Sequence, residues 1–206
     1  MTAIVDLEVA ERAGWRPADL AAAYLSGGAT FLQVRAKRAS GAEFVDLAAT
    51  IVELARPGGA VVVVNDRADI ARIARADGVH VGQTDLPPAD VRQIVGGDAV
   101  VGLSTHTLEQ MNAAVREPVT YVAIGPVFGT TSKATGYDAV GLDMVRSAAA
   151  SAKSRGLPLV AIGGITLATA RSVIDAGATS VAIIGDLLST GNPEARIREF
   201  LQRIAS

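Results

Sequence analysis

The 206 residues, half of them hydrophobic and 19% charged, suit one compact domain, or two small ones, that bury roughly 70% of the unfolded surface. Nineteen Lys and Arg against 21 Asp and Glu leave a net charge of −2 without a long basic run, which argues against a nucleic-acid-binding surface. The absence of cysteine excludes disulfides, thiolate nucleophiles and Cys-ligated metal sites, and is compatible with a reducing compartment.

The N-terminus, Met1 to Glu8, has no basic segment and no long apolar segment before its first carboxylate, so the expectation is no secretory signal and a cytoplasmic location. Strands are predicted at Ala3–Asp6, Thr30–Arg35, Val61–Asn65, Gly78–Val81, Val100–Leu103, Thr120–Ile124, Leu159–Ile162 and Ser180–Ile184. Helices are predicted at Pro17–Ser26, Gly41–Ala55, Ala68–Ala76, Pro87–Val95, Leu108–Val115, Leu142–Arg155, Leu167–Ala176 and Pro193–Ile204. Several helices meet glycine before the next strand, as in Ser26-Gly27-Gly28, Ala76-Asp77-Gly78 and Ala176-Gly177, the pattern of a left-handed helix stop.

Runs such as Val61–Val64 lack the alternation of a sheet with one wet face and read as parallel strands buried on both sides. No apolar run approaches the ~20 residues that span a bilayer, so no membrane is expected. Strand and helix alternate without a linker, which predicts an α/β fold, a closed (β/α)₈ TIM barrel forming a single catalytic domain over residues 1–206. An open doubly wound sheet is the structural alternative.

Barrel chemistry sits at the carboxyl ends of the strands, and nearly every strand here delivers a polar or glycine cluster there. Gln33-Val34-Arg35-Ala36-Lys37 places three long polar side chains at alternate positions on one face of an extended strand. Inward cations call for a counter-charge, either a phosphate or diphosphate or the acids of a salt-bridged rim. Asn65-Asp66 and Asp85 end neighbouring strands, and converging carboxylates beside cations suit Mg²⁺ carrying a phosphorylated substrate; either acid could instead cap the helix that follows it.

Gly163-Gly164 opens a helix after the seventh strand and Ile184-Gly185-Asp186 follows the eighth, the position where barrels often hold a phosphate on backbone amides. The loop after strand six, from Gly125 through Thr130, Ser132 and Lys133 to Gly141, is long for a βα connection; Lys133 is either a cation for a leaving group or an exposed loop lysine. Ser104-Thr105-His106 lacks the Gly-x-Ser-x-Gly elbow of a hydrolase, and His80, inside a strand, reads as structural. Two histidines exclude a His-rich metal site.

These clusters, in this order, resemble the thiamine-phosphate synthase family from the first strand to the last helix. The carrying motifs are Gln33-x-Arg35-x-Lys37, Val64-Asn65-Asp66, the run Asp77 to Asp85, Gly102-x-Ser104, Gly125-Pro126-x-Phe128-x-Thr130-x-Ser132-Lys133 and Ile162-Gly163-Gly164-Ile165. The resemblance implies a Mg²⁺-assisted transferase joining 4-amino-2-methyl-5-hydroxymethylpyrimidine diphosphate to a thiazole phosphate, with release of diphosphate. It implies that Gln33 contacts the pyrimidine, that Arg35, Lys37, Asn65 and Lys133 contact the diphosphate with Ser104 nearby, and that Asp66 and Asp85 hold Mg²⁺. Thr130 and Ser132 would face the thiazole phosphate, which Gly164 and the loop of Ile184 and Gly185 would hold. Catalysis would fall to Lys133, Arg35, Lys37 and Ser104.

The sequence departs from the family pattern at strand eight, where Ile184-Gly185-Asp186 replaces the usual Ile-Ser and sets a carboxylate near the expected phosphate, and mildly at Ser132 in place of threonine. Within the fold the rival readings are a thiazole tautomerase-like enzyme and a non-catalytic phosphate-ligand barrel. Small-molecule substrates are the expected partners, and a homo-oligomer is left open.

Overall fold

The computed structural model describes residues 1–129 and 136–205. Eight parallel strands, β1 (Thr2–Asp6), β2 (Phe31–Arg35), β3 (Val61–Asn65), β4 (Gly78–Val81), β5 (Val100–Thr105), β6 (Tyr121–Ile124), β7 (Leu159–Ile162) and β8 (Ser180–Ile183), pair in sequence order. β8 returns to β1, with Thr2 opposite Ala182, so the sheet closes and the open-sheet alternative falls. Helices α1 (Leu7–Arg12), α2 (Pro17–Ser26), α3 (Gly41–Ala55), α4 (Ala68–Ile73), α5 (Pro88–Val95), α6 (Leu108–Ala114), α7 (Gly141–Lys153), α8 (Leu167–Asp175) and α9 (Pro193–Ala205) surround it. Among the described residues none of them is long and apolar enough to cross a membrane.

Side chains alternate along each strand and so build two cores. Outward residues such as Val5, Leu32, Val34, Val62 and Val64 pack under the helices. Inward residues of β1, β6, β7 and β8 form a separate apolar cluster of Ile4, Tyr121, Ala123, Val160 and Ala182. The matching positions of β2, β3 and β4 are buried polar side chains: Gln33, Asn65 and His80. Helix faces follow the same logic. In α3 the Ser40–Glu43 capping box satisfies the first amides, and Phe44, Ala48, Ile51, Val52 and Ala55 turn one stripe onto the barrel.

The structure corrects the predicted elements in several places. α1 was not expected; Asp6 nucleates it by accepting the Val9 amide at 3.0 Å directly after β1. α4 ends at Ile73, short of Ala76, because Arg75 enters the left-handed region at φ 56°. The residue before β4 that the glycine stop required is thus Arg75, and Gly78 serves the sheet instead, since a Cβ there would stand 1.8 Å from the Val100 carbonyl oxygen. β5 runs on to Thr105, which places Ser104 within the strand, facing inward.

Candidate active site

A cavity of about 410 Å³ opens at the carboxyl ends of the strands. On its β2 side Gln33 and Arg35 point inward. Arg35 ion-pairs through Nη1 with Asp6, its register partner on β1, and lies 3.9 Å from Glu8 Oε2. Its Nε is buried and has no hydrogen-bond partner among the described residues, an unmet donor on a fixed cation at the edge of a cavity. The salt-bridged rim and the anion site are therefore not exclusive for Arg35: Asp6 holds the guanidinium in place, and its side chain still lines the cavity.

Lys37, just past β2, ion-pairs with Asp66, just past β3. Asp66 sits at φ 63°, a strained conformation for a non-glycine residue, fixed by donation of its amide to the His80 carbonyl at 2.7 Å. Asp85 accepts the Gly82 amide at 2.8 Å. Burial pushes the Asp85 carboxyl up from its ordinary range, the Gly82 amide opposes this, and the neighbouring Asp66 carboxylate adds to the rise. Neither acid caps a helix: α4 has Arg67 and α5 has Pro87 at the N-cap, both without a side-chain cap. The capping alternative is thereby removed for both, and two carboxylates face each other beside a lysine.

The middle of the barrel is spanned by a hydrogen-bonded chain that sequence reading missed. His80 lies 2.8 Å through Nδ1 from the Tyr121 hydroxyl and 2.7 Å through Nε2 from Ser104 Oγ. The Tyr121 phenol is raised by burial, with a Gln33 hydrogen bond acting against the rise. Register explains the contact. His80 and Tyr121 both stand opposite Gly102 on the intervening strand, and a Cβ there would lie 2.4 Å from His80 Nδ1 and 2.2 Å from Tyr121 Cζ. The signal available beforehand was the pair Gly102-x-Ser104 with an aromatic residue at the matching position of the next strand. Ser104 meets His80 and not the adjacent His106, whose Nδ1 is 2.5 Å from the Gly125 carbonyl and whose ring stacks on Tyr137 at 3.8 Å.

The far side of the cavity is built from backbone. Gly163 and Gly164 are left-handed (φ 101° and 63°), and a Cβ at Gly164 would fall 2.4 Å from the Gly129 carbonyl. The β7 and β6 loops are tied by Val127 N to the Ile162 carbonyl (2.9 Å) and Phe128 N to the Gly163 carbonyl (3.0 Å). The amides of Gly164, Ile165 and Gly185 meet no hydrogen-bond acceptor among the described residues, which leaves donors for an anion.

Of the predicted site residues, Gln33, Arg35, Asn65, Ser104, Gly164, Ile184 and Gly185 line this one cavity. Lys37, Asp66 and Asp85 form an ionic cluster at its β3–β4 rim. Thr130, Ser132 and Lys133 lie outside the described residues.

A family model described as thiamine monophosphate synthase matches residues 4–187. Similar proteins include the thiamine-phosphate synthase of Koribacter versatilis (strain Ellin345), 48% identical over 88% of this chain and 83% of that protein. The thiamine-phosphate synthase of Roseiflexus sp. (strain RS-1) is 42% identical over 91% of this chain and 78% of that protein. Among solved structures, thiamine phosphate pyrophosphorylase from Pyrococcus furiosus superposes with a TM-score of 0.88 at 28% identity, covering 99% of this chain and 94% of that one.

Proposed function

The chain belongs to the thiamine monophosphate synthase family, and from that premise we propose that it is a thiamine-phosphate synthase, joining the pyrimidine diphosphate to the thiazole phosphate. The observation that carries the proposal is the division of one cavity into a side-chain end of cations and carboxylates and a main-chain end of amides that meet no acceptor among the described residues, with an apolar wall between them.

In the proposed reaction the bond between the pyrimidine methylene and diphosphate oxygen breaks, the oxygen keeps the electron pair, and the thiazole nitrogen lone pair forms the new bond to that carbon. The nitrogen carries no proton to remove, so no general base is required. The task of the protein is to align two rings and to neutralise the departing diphosphate.

Arg35, clamped by Asp6, sets a fixed cation at the cavity wall for that anion, and Lys37 and Asn65 stand beside it. Lys133 completes this set by its motif. Gln33, steadied by Tyr121 and His80, orients the pyrimidine. The neighbouring carboxyl groups of Asp66 and Asp85 fit a hard divalent cation, because they supply oxygen donors and the charge of a cation would offset the crowding and burial that push Asp85 up. They would hold Mg²⁺, which when bound supplies charge neutralisation to the diphosphate. The amides of Gly164, Ile165 and Gly185 hold the thiazole phosphate and fix the second ring. A cytoplasmic location goes with the proposal, and the cysteine-free chain is compatible with such a reducing compartment.

Ser104 and His80 have the spacing of a nucleophile and base, but the group hydrogen-bonded to the other ring nitrogen of His80 is the Tyr121 phenol, not the carboxylate that orients the base of a nucleophilic triad. The intact cluster of Lys37, Asp66 and Asp85 favours the synthase over the tautomerase-like reading, which has no need of a diphosphate and Mg²⁺ site, and diphosphate release separates the synthase from a binding-only barrel.

The test is to mix both substrates with the purified protein, with and without Mg²⁺, and to follow thiamine phosphate and diphosphate. Mg²⁺-dependent formation of both products in equal amounts is expected. Folded protein that binds thiazole phosphate and releases no diphosphate would overturn the proposal.

A further inference from the structure

Asp186 brings a carboxylate to the end of the cavity assigned above to a phosphate, and its contacts show where that charge is spent. Its Oδ2 accepts the Leu167 amide at the N-terminus of α8 (3.1 Å) and both Nε (3.1 Å) and Nη2 (2.7 Å) of Arg196 on α9. Arg196 also donates to Glu199 at 2.8 Å and lies over the Phe200 ring, 5.4 Å from its centroid. Ser189 Oγ donates to the Asp186 carbonyl at 2.8 Å, which holds the turn that carries the carboxylate. The pair is largely sheltered, at 14% and 15% side-chain exposure. Asp186 lines the cavity, and Arg196 stands behind it.

Both partners of Asp186 are features that attract anions. An open α8 N-terminus and a bare guanidinium would together make this end strongly positive. One carboxylate fills the first and neutralises the second. The remaining donors at this end, the amides of Gly164, Ile165 and Gly185, carry only partial charges. Such a site suits a phosphate monoester. A diphosphate brings more negative charge, meets the Asp186 carboxylate in the cavity wall and finds no cation beyond the already paired Arg196 among the described residues at this end, whereas the other end offers Arg35 and Lys37.

We propose that Asp186 is a specificity-determining residue: it lowers the positive potential of the β7–β8 end so that this end accepts a phosphate monoester and refuses diphosphate, which sorts the two anions between the two ends of one cavity. The proposal rests on the synthase reading for its choice of anions, and its test separates the two.

Inorganic diphosphate and inorganic phosphate are titrated by calorimetry into wild type, Asp186→Asn and Arg196→Met in the presence of Mg²⁺, alongside KM for each substrate. Asparagine keeps an oxygen for the Leu167 amide and removes the charge. Wild type is expected to bind one diphosphate, displaced by the pyrimidine diphosphate alone. Asp186→Asn is expected to gain a second diphosphate site and competitive inhibition by diphosphate against thiazole phosphate, with its affinity for phosphate raised about tenfold, the scale of removing one partly screened like charge. Arg196→Met, which strips the carboxylate of its main counter-charge, is expected to shift phosphate affinity and the thiazole phosphate KM the opposite way.

Opposite signs from the two variants are what a purely structural pair would not give. Loss of affinity in both, or a second diphosphate already bound by wild type, would overturn the proposal. If Arg196→Met does not fold, the direction of the Asp186→Asn shift decides by itself. The calorimetry needs no turnover, so the predicted pattern in an inactive protein would sink the synthase reading and leave the charge sorting standing, while turnover without the pattern would do the reverse.

Discussion

The two halves of the barrel mouth solve the same problem with different materials. From β2 to β5 the inward positions carry Gln33, Arg35, Asn65, His80 and Ser104, each placed by an ion pair or hydrogen bond or buried against the next strand. From β6 around to β1 they carry Tyr121, Ala123, Val160, Ala182 and Ile4, and the polar work passes to main-chain amides in glycine-rich loops. Side chains offer full charges of both signs, while backbone amides offer fixed direction and little charge. A departing diphosphate needs the first kind of site, and an anchored monoester that must not react needs only the second.

The comparison is broken most severely by emptying the ionic cluster. Asp66→Ala is expected to lower kcat/KM by about 10²–10³, the usual loss for one preorganised electrostatic group, and to raise the Mg²⁺ concentration needed for half-maximal rate. Steady-state rates across a Mg²⁺ titration test this, and an unchanged Mg²⁺ dependence would move the metal site elsewhere.

Next in size is the seam between the halves. Gly102→Ala sets a methyl into the space shared by His80 and Tyr121 and is expected to cost about 1–3 kcal/mol by overpacking. Denaturant unfolding measures it, and a stability equal to wild type would mean that the rings can part without consequence.

A smaller and more selective change is expected at the backbone end. Gly164→Ala strains a left-handed residue and drives its Cβ toward the Gly129 carbonyl, and the KM for thiazole phosphate should rise about tenfold, from 1–2 kcal/mol of strain. The KM for the pyrimidine diphosphate should move far less; equal shifts in both would erase the distinction between the halves. Smallest is Tyr121→Phe, which removes the buried hydroxyl that bonds His80 and Gln33 and should cost about 1–2 kcal/mol in stability with a modest rise in the pyrimidine diphosphate KM.

Much of this was legible in the chain itself. Strand and helix order, the β-branched runs and the arrival of Gln33, Asn65-Asp66 and Gly163-Gly164 at one rim follow from local periodicity, because which face a residue takes depends on its neighbours along the strand. The polar partners were not legible. That Arg35 meets Asp6, that His80 meets Tyr121 across Gly102 and that Ser104 joins His80 depend on register between strands far apart in sequence, fixed only when the barrel closes. α1 escaped notice because it is six residues long and starts from a strand residue whose cap role competes with its ion pair.

The sequence by itself pointed to the barrel, its strand order and the residue types that reach each strand end, since composition and spacing act over a few residues. Only the tertiary structure decided which charges are spent and which remain open. Asp186 stands at the phosphate end, but not as a bare carboxylate, because α8 and α9 bring an amide and a guanidinium to it from 19 and 10 residues away. A charge is satisfied by what lies near it in space, and in a closed barrel those neighbours are chosen by the packing of helices around the sheet.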